Sequence, residues 1–126
     1  MLSPTPKHDA AWQAAKAEAK AVLAEFACAR KLISYTDFMD QIRSLSFETP
    51  YDGRLPHFLA EISTEEANEG RGMMTALVVR KNGDGRPGGG FFELAKRLGY
   101  DVSDRENFWH QQVNKVFASW HSDGKP

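Results

Sequence analysis

Between residues 82 and 90 the chain reads NGDGRPGGG, five glycines and a proline in nine positions. No regular helix or strand runs through such a stretch, because glycine loses the most backbone freedom on ordering and proline lacks an amide donor. Any fold of this chain must turn here, with its regular structure on either side. At 126 residues the two sides belong to one domain, long enough to bury roughly two-thirds of the surface its unfolded form exposes. With 41% hydrophobic and 26% charged residues it has the composition of a globular protein. The lone Cys28 forms no internal disulfide.

Upstream of the turn, residues 1–7 read as a loose leader to a domain spanning 8–121. Trp12, Ala15, Ala19, Val22, Leu23 and Phe26 recur at three- and four-residue spacing and predict a helix from His8 to Arg30. Leu32, Ile33 and Tyr35 form a short extended segment. Thr36 is placed to cap a second helix that carries Phe38, Met39, Ile42 and Leu45 and ends near Ser46. A third helix is expected from Leu55 or Pro56, with Phe58, Leu59 and Ile62 inward. Ser63 and Glu66, at capping-box spacing, mark a break and a restart that ends at Gly70. Residues 73–81, MMTALVVRK, have the length and Val, Thr and Leu content of a largely buried strand.

Downstream, Phe91, Leu94, Ala95 and Leu98 follow helical spacing with Gly99 placed as a C-cap, although Phe91 and Phe92 equally suit the end of a return strand. Ser103 and Glu106 repeat the capping-box spacing before a last helix striped by Trp109, Val113, Val116 and Trp120. Residues 122–126 are a polar tail. The aromatic residues Trp12, Phe108, Trp109, Phe117 and Trp120 gather on the two terminal helices. They are core if those helices pack together, and a patch for a partner or a homodimer if they do not.

This order of elements resembles a winged helix-turn-helix domain. The resemblance implies an α+β fold, helix-rich, with a small two- or three-stranded antiparallel sheet. Ile33–Tyr35 would supply one strand, Met73–Lys81 the next, and Asn82–Gly90 the wing tip. The connection from Ser46 to Leu55 is longer than the tight turn of a DNA-reading helix pair. The pieces AEIS, EGRGMMTALVV and PGGGFFELAKRLG also resemble small uncharacterised bacterial proteins, which implies no particular activity.

Charge is unevenly placed. Residues 1–70 hold seven Lys/Arg against eleven Asp/Glu, residues 71–126 nine against six. Glu61, Glu65, Glu66 and Glu69 fall within nine residues, and Arg80, Lys81, Arg86, Lys96 and Arg97 follow on and beside the glycine run. Opposed patches of this kind can steer a charged partner, though they also occur on ordinary solvated surfaces. Backbone N–H groups of Gly88, Gly89 and Gly90 at a helix start, with Arg86 beside them, would suit a phosphate or a carboxylate.

Other chemistry is incomplete. Gly83, Gly85 and Gly88 satisfy G-x-G-x-x-G, but no second strand with an acidic residue follows at the distance a dinucleotide fold needs, and no cofactor is expected. His57 and Glu61 share a helix face, yet a lone His-x-x-x-Glu pair is ordinarily a surface contact and no metal is expected. Cys28, among alanines and phenylalanine, reads as an inert packed thiol.

The expectation is a non-catalytic binding module, a small protein-interaction protein of adaptor, regulator or toxin-neutralising type. It would use His57, Glu61, Glu65 and Glu69 on one surface and the basic glycine-rich loop on another. The alternative is a DNA- or RNA-binding protein that holds phosphates through Arg80, Lys81, Arg86, Lys96 and Arg97, and an enzyme centred on His57, Glu61 and Arg86 ranks last. No run approaches the ~18 apolar residues of a membrane span, and the opening MLSPTPKHDAAW lacks the apolar stretch of a signal peptide, so a cytoplasmic location is expected.

Overall fold

The computed structural model describes residues 10–47, 52–80 and 85–121. The expected leader, the tail, Lys81 and the Asn82-Gly83-Asp84 part of the turn lie outside the described residues. Alanine on one face lets helix α1 (Ala10–Cys28) approach its neighbours closely: Ala15, Ala19, Leu23 and Ala27 are fully buried and Trp12 is nearly so. α1 stops where Arg30 turns to φ 57°, with the Arg30 amide donating to Ala27 O at 3.0 Å and the Lys31 amide to Phe26 O at 2.8 Å. This double bond satisfies carbonyls that the helix end would otherwise leave unpaired.

The short strand β1 (Ile33–Ser34) leads directly into α2 (Tyr35–Asp40). Ser34, not Thr36, is the cap, its hydroxyl accepting from the Asp37 amide at 3.1 Å. α2 also ends before Ser46, because the following backbone is drawn to α1: one oxygen of Glu18 accepts from the Arg43 and Ser44 amides at 2.9 and 3.0 Å. α3 (Leu55–Asn68) carries Pro56 in its first turn and runs unbroken through Ser63 and Glu66. No break forms at the capping-box spacing because Ser63 is buried and its hydroxyl is shared with Thr75, at 2.5 Å from Thr75 Oγ1 and 3.0 Å from the Thr75 amide. Gly70, at φ 82°, closes the helix as its position suggested.

The segment expected as a long strand is mostly something else. Met74–Leu77 forms a 3-10 turn, and only Val78–Val79 is strand β2. Burial was legible in this run, but a short apolar stretch has no periodicity to separate strand from tight helix. Its polar backbone is satisfied piecemeal by α3 and α5 (Arg105–His121): the Met73 amide donates to Gln112 Oε1 at 2.9 Å, and Ala76 O accepts from Trp109 Nε1 at 2.9 Å.

The sheet is a correction to the expected antiparallel, winged-helix-like architecture. β1 and β2 pair in parallel, Ile33 opposite Val78 and Ser34 opposite Val79. Two α-helices separate these strands in sequence, which leaves room for the long crossover that a parallel pair requires and a tight hairpin turn does not provide. After β2 the described chain does not return as a strand. Phe91 and Phe92 lie inside α4 (Gly89–Arg97), which settles the strand-or-helix alternative.

α4 ends at Gly99, φ 97°, with the Gly99 amide bonded to Lys96 O and the Tyr100 amide to Ala95 O, as its C-cap position predicts. An added methyl at Gly99 would meet nothing within 4 Å. Gly99→Ala is therefore expected to cost about 1 kcal/mol through backbone conformation alone, seen as a lower urea midpoint with an unchanged m-value. Before α5 the cap is Asp104, whose carboxylate accepts from the Asn107 amide at 3.1 Å, and not Ser103. The terminal helices α1 and α5 pack on each other and on the 3-10 turn. Trp12, Phe108, Trp109 and Phe117 are buried in the core and Trp120 is half-buried against it, so these rings do not form an exposed patch. No described helix is long and apolar enough to cross a membrane.

Candidate anion-binding site

Arg80 is the first exposed residue after β2, and its amide donates to Arg86 O at 2.9 Å. That bond brings the two arginine backbones together. The chain then passes buried Pro87 to Gly88, whose amide is held by the Tyr35 hydroxyl at 3.1 Å. A Cβ on Gly88 would come within 3.2 Å of that hydroxyl, so glycine here allows the close approach. α4 then starts at Gly89 with no side-chain cap. α5 starts beside it at Arg105, whose guanidinium lies 4.8 Å from the centroid of the Phe92 ring.

These starts enclose a cavity of about 290 Å³ walled by Arg80, Arg86 and Arg105 together with Pro87, Gly89, Phe92, Glu106 and Trp109. Among the described residues three arginines and one glutamate line it, and Arg86 contacts Glu106 at 2.6 Å. An arginine-lined hollow beside the start of α4, where the helix dipole adds positive potential, has the chemistry to accept an anion. Guanidinium forks can hold a carboxylate or phosphate through paired N–H donors. The described lining carries no thiol, hydroxyl or imidazole.

On the other side of α4 a second cleft of about 300 Å³ opens toward α3, walled by Leu55, Leu59, Phe91 and Leu94, with Tyr35 and Thr75 deeper and Glu93 and Arg97 on its exposed side. The two hollows share α4 as a ridge.

The sequence-derived residues divide between these places. Arg80, Arg86 and Gly89 line the arginine cavity, Gly90 and Arg97 line the apolar cleft, and Gly88 anchors the loop. Lys96 is exposed in the last turn of α4, where the helix dipole already favours cations. The acidic residues of α3 do not form an open patch. Lys16 reaches Glu61 at 3.0 Å and Glu65 at 2.6 Å, Lys20 reaches Glu65 at 2.7 Å and Glu66 at 3.4 Å, and Arg71 reaches Glu66 at 2.6 Å. Trp12 Nε1 also donates to Glu61 at 2.9 Å.

Burial pushes the carboxyls of Glu65 and Glu66 up, but hydrogen bonds and charge from Lys16 and Lys20, and from Arg71 and Lys20, hold both below the usual carboxylate range. Burial also lowers Lys16, and its two glutamates more than reverse this and raise it. Glu69 and His57 remain exposed. His57, Glu61 and Arg86 are not gathered, since Glu61 is engaged by α1 and Arg86 by Glu106 of α5. Among the described residues no three His, Cys, Asp or Glu side chains form a metal-binding group.

Sequence reasoning missed Arg105, Phe92, Glu106 and Trp109 as partners of Arg80 and Arg86. One signal was available: Arg105 opens a helix, where the dipole disfavours a cation, so its placement has a cost that a bound anion would offset. No protein-family model matches this chain, and no curated protein or solved structure is significantly similar to it.

Proposed function

We propose that this protein is a non-catalytic binding module that holds an acidic group of a protein partner in the cavity formed by Arg80, Arg86 and Arg105. The observation that carries the reading is the convergence of three arginines from two separate chain segments on one hollow at the start of α4. Phe92, Trp109 and Pro87 in the same wall favour a carboxylate on a peptide, with apolar groups beside it, over a bare phosphate. Glu106 inside the cavity and Glu93 further along α4 interrupt the positive surface that a run of phosphates would need. The salt links from α1 to Glu61, Glu65 and Glu66 move the contact away from the acidic face of α3 and onto the basic one.

The test compares wild type with Arg80→Glu plus Arg105→Glu in pull-downs from the native host and in fluorescence anisotropy with duplex and single-stranded DNA at two salt concentrations. The expected result is a protein partner retained by wild type and by exposed-site Glu69→Lys, lost from the arginine variant, with no appreciable DNA binding. Micromolar DNA binding that weakens steeply with salt and disappears in the arginine variant would replace this reading with the nucleic-acid one.

A further inference from the structure

Ser63 and Thr75 meet where α3 packs on the 3-10 turn, and counting their protons leaves one over. A hydroxyl has one proton to donate and two lone pairs that accept. Ser63 Oγ accepts the Thr75 amide at 3.0 Å and lies 2.5 Å from Thr75 Oγ1. Ser63 is fully buried, and among the described residues its hydroxyl makes no other hydrogen bond. If Thr75 donated across this contact, the Ser63 proton would be stranded in the core, so Ser63 donates and Thr75 accepts. Thr75 is 5% exposed, and its own proton then has no acceptor among the described residues. A buried donor of this kind is uncommon, because the unmade bond costs free energy. The hollow that Thr75 borders is the apolar cleft between α3 and α4. Tyr35 in the same lining has a second proton to give: its oxygen accepts the Gly88 amide at 3.1 Å and donates to no described residue.

We propose that this cleft binds a small uncharged molecule with a compact apolar body and one carbonyl oxygen, the oxygen accepting the Thr75 proton and the body lying against Leu55, Leu59, Phe91 and Leu94. The inference does not depend on the arginine cavity, which lies on the other side of α4. Leucine and phenylalanine walls select the apolar body, which gains by leaving water. Hydroxyls with protons to give select an acceptor at the inner end. A charged group there would lose its water with only neutral donors to replace it, which costs more than one hydrogen bond returns. The exposed side of the cleft carries Glu93 and Arg97, one charge of each sign, and so favours neither an anion nor a cation. A volume of about 300 Å³ is at the small end of ligand pockets, which limits the body to a single ring or a short branched chain.

The experiment titrates the full, methyl-labelled chain with acetophenone and with α-methylstyrene, in which a methylene group replaces the carbonyl oxygen, and follows both by NMR. Acetophenone is expected to give saturable shifts in the methyl signals of Leu55, Leu59 and Leu94. The two probes differ in hydrophobicity, so the quantity read is the ratio of their affinities, compared between wild type and variants. That ratio is expected to move about fivefold against acetophenone in Thr75→Val, the worth of one hydrogen bond, and to stay as in wild type in Thr75→Ser. Thr75→Val also strands the Ser63 proton and lowers stability, so a second readout uses wild type alone. Intermolecular NOEs are expected from the Thr75 methyl group to the acetyl protons of bound acetophenone. An absence of saturable shifts, or shifts centred on Phe92 and Trp109 of the arginine cavity, would overturn the site. An unchanged ratio in Thr75→Val, or NOEs from Thr75 to the ring protons alone, would overturn the carbonyl contact and with it the ligand class.

Discussion

Phe58→Ala is expected to lower the free energy of unfolding by about 3–5 kcal/mol, the range for emptying an aromatic site in a close-packed core. Phe58 has no exposed surface. The Trp12 ring meets it edge-on with centroids 5.2 Å apart, and Phe47 lies 5.0 Å away at 59°. These three rings tie the start of α1, the loop before α3 and α3 itself, so a void here has few ways to close without moving all three. Urea denaturation followed by circular dichroism measures the effect. A loss below about 1 kcal/mol would mean that the surrounding segments collapse into the space, contrary to the packing described.

Lys16→Met is expected to cost about 2–3 kcal/mol at pH 7, through a different mechanism. Methionine matches the stem of lysine but leaves Glu61 and Glu65 without the ammonium that now bridges them. Removing one member of a fully buried ion pair costs about 3–5 kcal/mol. The figure here is set lower because Glu65 keeps 44% of its side chain exposed and Lys20 still reaches it.

The pH profile separates this from a packing loss. In wild type, Glu65 and Glu66 titrate below their ordinary 4.5, so their contribution is fully present above that value and is lost as pH falls through the depressed range. Lys16 titrates above its ordinary 10.5, so its contribution is fully present below that value and is lost as pH rises through the elevated range. Stability should therefore show a plateau between these limits. The deficit of Lys16→Met should narrow on acidification, as the stranded carboxylates take up protons. A deficit that stays constant from pH 7 to pH 4 would assign the loss to packing alone.

How much was legible in the sequence depends on the range of the interaction involved. Ala15, Ala19 and Leu23 announce a buried helix face because each sits one turn from the next. Gly70 and Gly99 announce helix ends because the left-handed conformation there is a local demand. Ser63 misled for the complementary reason: its spacing from Glu66 suits a cap, but its partner is Thr75, twelve residues away across a packed contact. Met73–Leu77 was readable as buried and not as a 3-10 turn, since its amides are satisfied by side chains of α3 and α5 that local pattern does not contain.

The candidate site divides the same way. Arg80, Arg86 and the glycine run stand close together in the chain, so their association with an anion could be argued from the sequence. Arg105 and Trp109 join them only because α5 begins beside α4. Conversely, Glu61, Glu65 and Glu66 look like an open acidic patch until α1 packs against α3 and places Lys16 and Lys20 over them. The sequence by itself determined where most of the α-helices lie, where several end, which faces turn inward and that regular structure breaks between β2 and α4, although α4 begins already at Gly89 within the glycine run. The tertiary structure alone decided the direction of the strand pair, which charges are already matched and which hollows flank α4, because each depends on groups far apart in sequence and brought together only by burial of the common core.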